Sequence, residues 1–408
     1  SVTSKIAKTL IDSSDPEELQ IRAPDTRRDN SFTPSFSDID SDGDLDLLMV
    51  SDFRTSQVFK NSGDGTFINT TDREVIKDQA GMGSALADYD NDGDIDWFVT
   101  SIYKEDENSD EIIGYGNRLY ANDGNGNFAD VSDEAGIGDG GWGWAACFAD
   151  FDNDGHEDIF HVNGWSESSE KTVNDYRSDA ARLFHNQGDG TFREISQSVG
   201  IIERGQGRGL VCFDADRDGD IDILVANNES EQLKFYKNNL DNGNRYITIE
   251  LEDFGIGAKV WVRSNSISRV KEIYAGSNFV SQNPFEAHFG LGELEVVDVT
   301  VEWPDGTVTE VKEARTNQLL KVDKTGAPTK YVLNVLNGAG GGTYEEAEVV
   351  TVVAAEPPEG YYFSHWMVEG DLVLEDRRNP TITISMNRGS VSLIANFLPG
   401  VAPDSNVS

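Results

Sequence analysis

One aspartate-rich loop occurs four times in this chain, and no other feature constrains the fold as tightly. Its clearest copy is Asp88-Tyr89-Asp90-Asn91-Asp92-Gly93-Asp94-Ile95-Asp96. The others run from Asp38 to Asp46, from Asp150 to Asp158 and from Asp214 to Asp222. Every copy has carboxylates at positions 1, 3, 5 and 9 and glycine at position 6. Carboxylates this crowded repel one another, and a hard cation such as Ca2+, which takes six to eight oxygens, relieves the repulsion. Ordinary turns use one or two aspartates, not four in fixed register four times over. Position 7 usually gives its backbone carbonyl, so His156 is compatible there with Asp44, Asp94 and Asp220 in the other copies. The expected metal residues are Asp38, Asp40, Asp42, Asp44 and Asp46; Asp88, Asp90, Asp92, Asp94 and Asp96; Asp150, Asp152, Asp154, His156 and Asp158; and Asp214, Asp216, Asp218, Asp220 and Asp222. About four Ca2+ ions are expected.

Helical EF-hands would need a bidentate Glu at position 12, where this chain has Met49, Val99, His161 and Val225. Each loop instead enters a short apolar run, such as Trp97-Phe98-Val99 or Ile223-Leu224-Val225, which reads as a buried strand. The loops start at 38, 88, 150 and 214, and the order within each unit is constant. A glycine-containing approach strand comes first, then the loop and the buried strand. A third strand follows (Gln57 to Lys60, Arg118 to Ala121, Arg182 to His185), then a turn such as Asn122-Asp123-Gly124-Asn125-Gly126. Asn, Asp and Gly are expected there to supply positive φ. A fourth strand begins at Phe67, Phe128 or Phe192. Four antiparallel strands per unit of about 50 residues predict an all-β fold, a calcium-binding β-propeller.

These units resemble the FG-GAP/VCBS family of calcium-binding propeller repeats, also found in integrin α-subunits. The resemblance covers residues 31–244, with residues 1–30 as a lead-in. Family propellers often have seven blades and four carry the motif here, so the ring size stays open. Residues 245–325 carry a new alternating pattern, including Tyr246 to Leu251, Lys259 to Val262, His288 to Gly292 and the turn Pro304-Asp305-Gly306. They resemble the ASPIC/UnbV module that follows FG-GAP repeats in cartilage acidic protein and its bacterial relatives. Residues 330–398 look like the divergent internalin-type B repeat of bacterial surface proteins, a stalk or spacer in that family, with Trp366 as core. Residues 399–408 are a tail.

The formal net charge of −41, from 33 basic and 74 acidic residues, argues against nucleic acid and anionic membranes as partners. No apolar run approaches the roughly 18 residues of a membrane helix, so no membrane insertion is expected. The chain begins at Ser1 and reads as a processed or excised form. Metal sites of millimolar affinity suit an extracellular setting, secreted or at the cell surface. Cys147 and Cys212 are read as buried thiols, because their offsets from the following loops place them on opposite faces of equivalent strands.

No zinc spacing, nucleophile elbow or phosphate loop is present among the five histidines and the glycines, so no catalytic residue is named. The functional expectation is a calcium-stabilised binding or adhesion protein that recognises an extracellular glycan or protein. A propeller enzyme acting on polysaccharide, a lyase or hydrolase, is the alternative. Candidate ligand residues are Trp142, Trp144, Trp165 and Tyr176 in the third unit, since Trp and Tyr suit sugar faces and protein hot spots. Packing between blades is the competing role for Trp142 and Trp144.

Overall fold

The computed structural model describes residues 31–400 except 106–111, 166–175, 177–178, 203, 229–232, 253–254, 326–329, 346–347, 370–371, 373, 375 and 387–390. The lead-in 1–30 and residues 401–408 of the tail lie outside the described residues. The chain divides into two compact units, one ending at Leu319 and one beginning at Leu320.

The first unit opens with four sheets in chain order. β1 (Ser31–Ser37), β2 (Asp46–Ser51), β3 (Gln57–Asn61) and β4 (Phe67–Asn69) form the first. β5 (Ser84–Ala87) and β6 (Asp96–Val99) lead to an inserted hairpin, β7 (Tyr103–Glu105) and β8 (Ile112–Tyr115), before β9 (Arg118–Asn122) and β10 (Phe128–Asp130) complete the second. A single-turn helix, α1 (Ser132–Ala135), follows. The third sheet is β11 (Gly143–Ala149), β12 (Asp158–Asn163), β13 (Arg182–Asn186) and β14 (Phe192–Glu194). The fourth has three strands among the described residues, β15 (Gly207–Phe213), β16 (Asp222–Asn227) and β17 (Lys234–Tyr236). Within every sheet the strands are antiparallel and sequential, the metal loop joining the first strand to the second. These are propeller-like blades.

Each blade is buried on both faces, which explains apolar runs without alternation. Leu48, Val50 and Val58 of the first blade meet Leu86, Trp97 and Val99 of the second. Ala85, Ala87 and Phe98 meet Ala146, Phe148 and Ile159 of the third. Ala145, Cys147 and Ala149 face Leu210 and Cys212 of the fourth. That last pairing corrects the reading of the cysteines: Cys147 and Cys212 form a disulfide, with Cα atoms 6.6 Å apart. They do lie on opposite faces of equivalent strands, but opposite faces are what two neighbouring blades turn toward each other. The turn asparagines also depart from expectation. Gly124 and Gly126 have φ of 71° and 70°, while Asn122 is not among the positive-φ residues.

The rest of the first unit is a β module. β18 (Arg245–Leu251), β19 (Lys259–Arg263), β20 (Ser268–Glu272), β21 (Glu286–Gly292), β22 (Val296–Glu302), β23 (Val308–Arg315) and β24 (Gln318–Val322) form two sheets, ordered β21-β18-β24 and β20-β19-β22-β23. The segment between β20 and β21 enters the propeller and satisfies the open edges of its innermost strands. Asn278 and Ser84 exchange backbone hydrogen bonds at 2.8 and 2.9 Å, Phe36 N donates to Ala275 O, and Leu210 N donates to Ser281 Oγ at 2.9 Å. Buried strand edges need such partners, and here the module supplies them.

The second unit contains β25 (Lys330–Leu336), β26 (Gly338–Ala339), β27 (Gly342–Glu345), β28 (Val349–Ala354), β29 (Tyr361–Glu369), β30 (Thr381–Ser385) and β31 (Val391–Pro399). They build two sheets, ordered β27-β25-β31-β29 and β26-β28-β30. The core they enclose centres on Trp366, fully buried among Leu333, Val352 and Leu393, its indole N–H donating to Asn379 O at 3.0 Å.

Candidate metal loops and aromatic cluster

The four loops share one hydrogen-bond scheme, and it begins with the carboxylate at position 1. In the second loop Asp88 Oδ1 accepts from Asp92 N and Oδ2 from Gly93 N, both at 3.0 Å. Asp38, Asp150 and Asp214 repeat the pair. Position 4 lies in the left-handed region, with φ of 59°, 61°, 57° and 62° for Ser41, Asn91, Asn153 and Arg217. The position-6 glycines follow with φ near 90° to 100°, as Gly93 at 102°. This tight curl aims the carboxylates inward.

At position 9 the carboxylate acts as a staple. Asp96 Oδ2 accepts from Tyr89 N at 3.1 Å and Oδ1 from Asn122 N at 2.9 Å, tying the loop to the end of the third strand. Asp46, Asp158 and Asp222 do the same. Oxygen atoms of Asp38, Asp40 and Asp42 lie within 4.8 Å of one another, as do those of Asp150, Asp152 and Asp154, and of Asp214, Asp216 and Asp218. In the second loop the group is Asp88, Asp90 and Asp96, with Asp92 outside it. Asp152 and Asp158 also converge with His185. The side chains of Asp44, Asp94, His156 and Asp220 stand outside these groups, as do Asp46 and Asp222.

Burial pushes the Asp88 carboxyl up to about 8, with Asp92 and Asp90 adding to the rise. Burial likewise pushes Asp96 up to about 9 and Asp46 up to about 7, against the backbone N–H groups they accept. Asp150 is driven well above the usual carboxylate range, by burial first and then by Glu157. Each rise reflects negative charge that the protein alone does not neutralise. Asp40 Oδ1 is buried with no hydrogen-bond partner among the described residues. An all-oxygen donor set with an orphaned carboxylate oxygen fits a hard divalent cation. The position 1, 3 and 5 aspartates of the first, third and fourth loops, and Asp88, Asp90 and Asp96 of the second, would hold it.

Three features were not visible in the loop motif. The turn asparagine latches neighbouring blades: Asn122 Nδ2 donates to Ile39 O at 2.9 Å, Asn186 Nδ2 to Tyr89 O at 2.9 Å and Asn238 Nδ2 to Phe151 O at 2.7 Å. Each of these carbonyls is position 2 of the preceding loop. The position-4 asparagines latch the other way, Asn91 to Gly155 O and Asn153 to Gly219 O, both at 3.1 Å. Finally, the β module sits on the loops. A Cβ on Gly155 would lie 1.9 Å from the Arg269 guanidinium, one on Gly219 would lie 1.8 Å from the Tyr246 ring, and Trp261 stands over Gly93. Lys259 Nζ lies 2.9 Å from Asp38 Oδ2. Gly155 and Gly219 are therefore needed for close approach as well as for φ.

The four predicted aromatic residues do come together, at the start of β11, about 20 Å along the strand from its loop. Trp142 stacks on Trp165 with centroids 5.4 Å apart, and Tyr176 meets Trp142 edge-on at 5.3 Å. Trp144 is buried, packed by Phe279 at 5.2 Å and by the Arg208 guanidinium at 3.8 Å. Trp142, Trp165 and Tyr176 are half-buried. Trp144 therefore serves packing, and the other three retain exposed surface. Residues 106–111, 166–175 and 177–178 of the two inserted segments lie outside the described residues.

Fold and loops together define the class: an all-β protein of propeller-like repeats with aspartate loops at their strand junctions. The FG-GAP-like repeat family matches residues 38–99, 106–161 and 172–225. The ASPIC and UnbV family matches 250–329, and the divergent InlB B-repeat domain matches 331–400. In particular, FG-GAP-like repeats, an ASPIC and UnbV segment and a divergent InlB B-repeat match in succession along the chain, and about two thirds of it is similar to cartilage acidic protein 1. The Homo sapiens protein of that name is 30% identical over 289 residues, covering 65% of this chain and 40% of its own length. That of Mus musculus is 29% identical over the same length, covering 65% of this chain and 41% of its own. The chain thus spans about two fifths of the curated relatives it matches. Among solved structures, the Dos1 propeller aligns at 11% identity and a TM-score of 0.22, over 77% of this chain and 66% of that one. No helix among the described residues is long and apolar enough to cross a membrane.

Proposed function

We propose that this chain is a calcium-stabilised binding or adhesion protein that works outside the cell, secreted or at the cell surface, and recognises a glycan or a protein there. The loops hold structural Ca2+, and the half-buried face of Trp142, Trp165 and Tyr176 takes the ligand. The observation that carries this reading is the division of labour along the inner strands. At the loop end Arg269 and Tyr246 of the β module press on Gly155 and Gly219 and Trp261 stands over Gly93, which leaves less of these three loops open to a macromolecule. The aromatic cluster lies at the other end. The Cys147–Cys212 disulfide supports an oxidising compartment.

The test is a glycan array and a panel of extracellular matrix proteins, probed with and without calcium. Trp165→Ala should lose binding while keeping its melting transition. A ligand bound equally well by the folded Trp165→Ala variant would move the site elsewhere. Turnover of an acidic polysaccharide by the wild type would replace the binding reading with an enzymatic one.

A further inference from the structure

Each blade places beside its own metal loop a residue that the loop motif does not include. It is the residue before the turn asparagine: Lys60, Ala121, His185 and Lys237. The position-9 carboxylate fixes the third strand there by accepting the backbone N–H of the following asparagine, at 2.7, 2.9, 2.8 and 2.8 Å in the four blades. The side chain before it is thereby delivered to the loop.

What it delivers differs from blade to blade. Lys60 Nζ lies 3.3 Å from Asp40 Oδ2. Lys237 Nζ is bonded to Asp216 and lies 3.2 Å from Asp218 Oδ2. His185 Nδ1 lies 3.0 Å from Asp158 Oδ1, in the group that includes Asp152. Ala121 has no polar atom to offer. Among the described residues no ammonium, guanidinium or imidazole is paired with Asp88, Asp90, Asp92 or Asp96. The first loop carries a second ammonium, Lys259 on Asp38.

We propose that this position sets the cation affinity of each loop, Lys60 and Lys237 acting as tethered ammonium ions that compete with divalent metal for the loop carboxylates. The second loop is then the tight site, the first and fourth are the weak ones, and the third lies between. The inference rests on the calcium reading of the loops. A metal entering the first or fourth loop must displace an ammonium from the oxygens it needs, and then sits beside a like charge. A metal entering the second loop displaces no paired ammonium, and the cations that act on that loop, Arg269 on Asp88 and Lys259 on Asp94, do so from beyond ion-pair distance. Exposed ion pairs are individually weak, so the penalty is about tenfold in affinity per lysine rather than an abolished site.

Calorimetric titration of the full, metal-stripped chain with Ca2+ tests this. The wild type should show one tight class and weaker classes. Asp90→Asn should remove the tight class, assigning it to the second loop. Lys237→Gln should tighten one weak class about tenfold at unchanged stoichiometry, and Ala121→Lys should weaken the tight class by a similar factor. Lys237 is exposed at the loop, so its replacement decides the matter even if Ala121→Lys, at a half-buried position, destabilises the blade. Classes unmoved by Lys237→Gln and Lys60→Gln would overturn the proposal, as would four equal sites in the wild type. A wild type that takes up no calcium would contradict the loop reading itself, which is a different result.

Discussion

The propeller-like repeats and the C-terminal unit are both sheets packed face to face, yet they bury different things. Around Trp366 the core is Leu333, Val350, Val352, Ile382, Leu393 and their neighbours, all apolar. At the loop end of the repeats, Asp46, Asp96, Asp158 and Asp222 are buried at the first residue of the second strand, and Asp150 is buried just after the end of the first. Burying apolar area is favourable without help, at about 25 cal/mol per Å2. Burying carboxylates is costly until a counter-charge arrives. On the proposed calcium reading of the loops, the same secondary structure gives one unit that is stable by itself and one whose stability is conditional on a cation.

The comparison can be broken from the apolar side first. Trp366→Ala should cost about 3–5 kcal/mol, enough to unfold the C-terminal unit, with the melting of the repeats unchanged. Loss of both transitions in thermal denaturation would show that the two units are not separable. Reducing the Cys147–Cys212 disulfide acts on the other side only, because the C-terminal unit has no cysteine. Its 65-residue span implies about 2–4 kcal/mol lost from the repeats. A melt of the Cys147→Ser variant that matches the wild type would remove that tie from the account.

Smaller again is the blade latch. Asn122 is buried, and Asn122→Ala leaves Ile39 O and Ile95 O without their donor, so it should cost about 1–3 kcal/mol in urea unfolding. Asp123→Ala, next in the chain but on the exposed turn, should cost less than about 1 kcal/mol, and equal losses would sink the latch.

A further effect is in pH. His161 is fully buried, and burial holds its imidazole down to about 3, with Arg182 opposing its protonation further. The unfolded chain takes up that proton near 6.5, so stability is intact above pH 6.5 and falls as pH drops from there toward 3. His161→Asn should flatten that limb of the stability curve.

The loops were legible in the sequence because their geometry is local: four carboxylates and a glycine within nine residues curl into one convergent group. The sequence was less informative wherever the partner lies in the next blade. Asn122 reads as a turn residue, and nothing nearby in sequence shows that its amide reaches Ile39 O of the preceding blade. The cysteines show the same limit from the other direction. Their opposite-face placement was legible, but the meaning of that placement depends on blades stacking with unlike faces together. Contacts such as Arg269 on Gly155 lie more than a hundred residues apart and leave no local pattern beyond the glycine itself. The clustering of Trp142, Trp165 and Tyr176 was legible in outline, because aromatics inserted between the second and third strands of one blade have few places to go.

The central claim, that the repeats are stable only with a cation and the C-terminal unit without one, is tested most directly by scanning calorimetry of the whole chain in millimolar calcium and in excess chelator. Ions bound by the folded state alone stabilise by about 0.4 kcal/mol for a site near its Kd and about 2.7 kcal/mol for one at a hundred times its Kd, so chelation should lower the transition of the repeats by several degrees. The transition of the C-terminal unit should stay in place. Identical traces in calcium and in chelator, or two transitions that move together, would contradict the account.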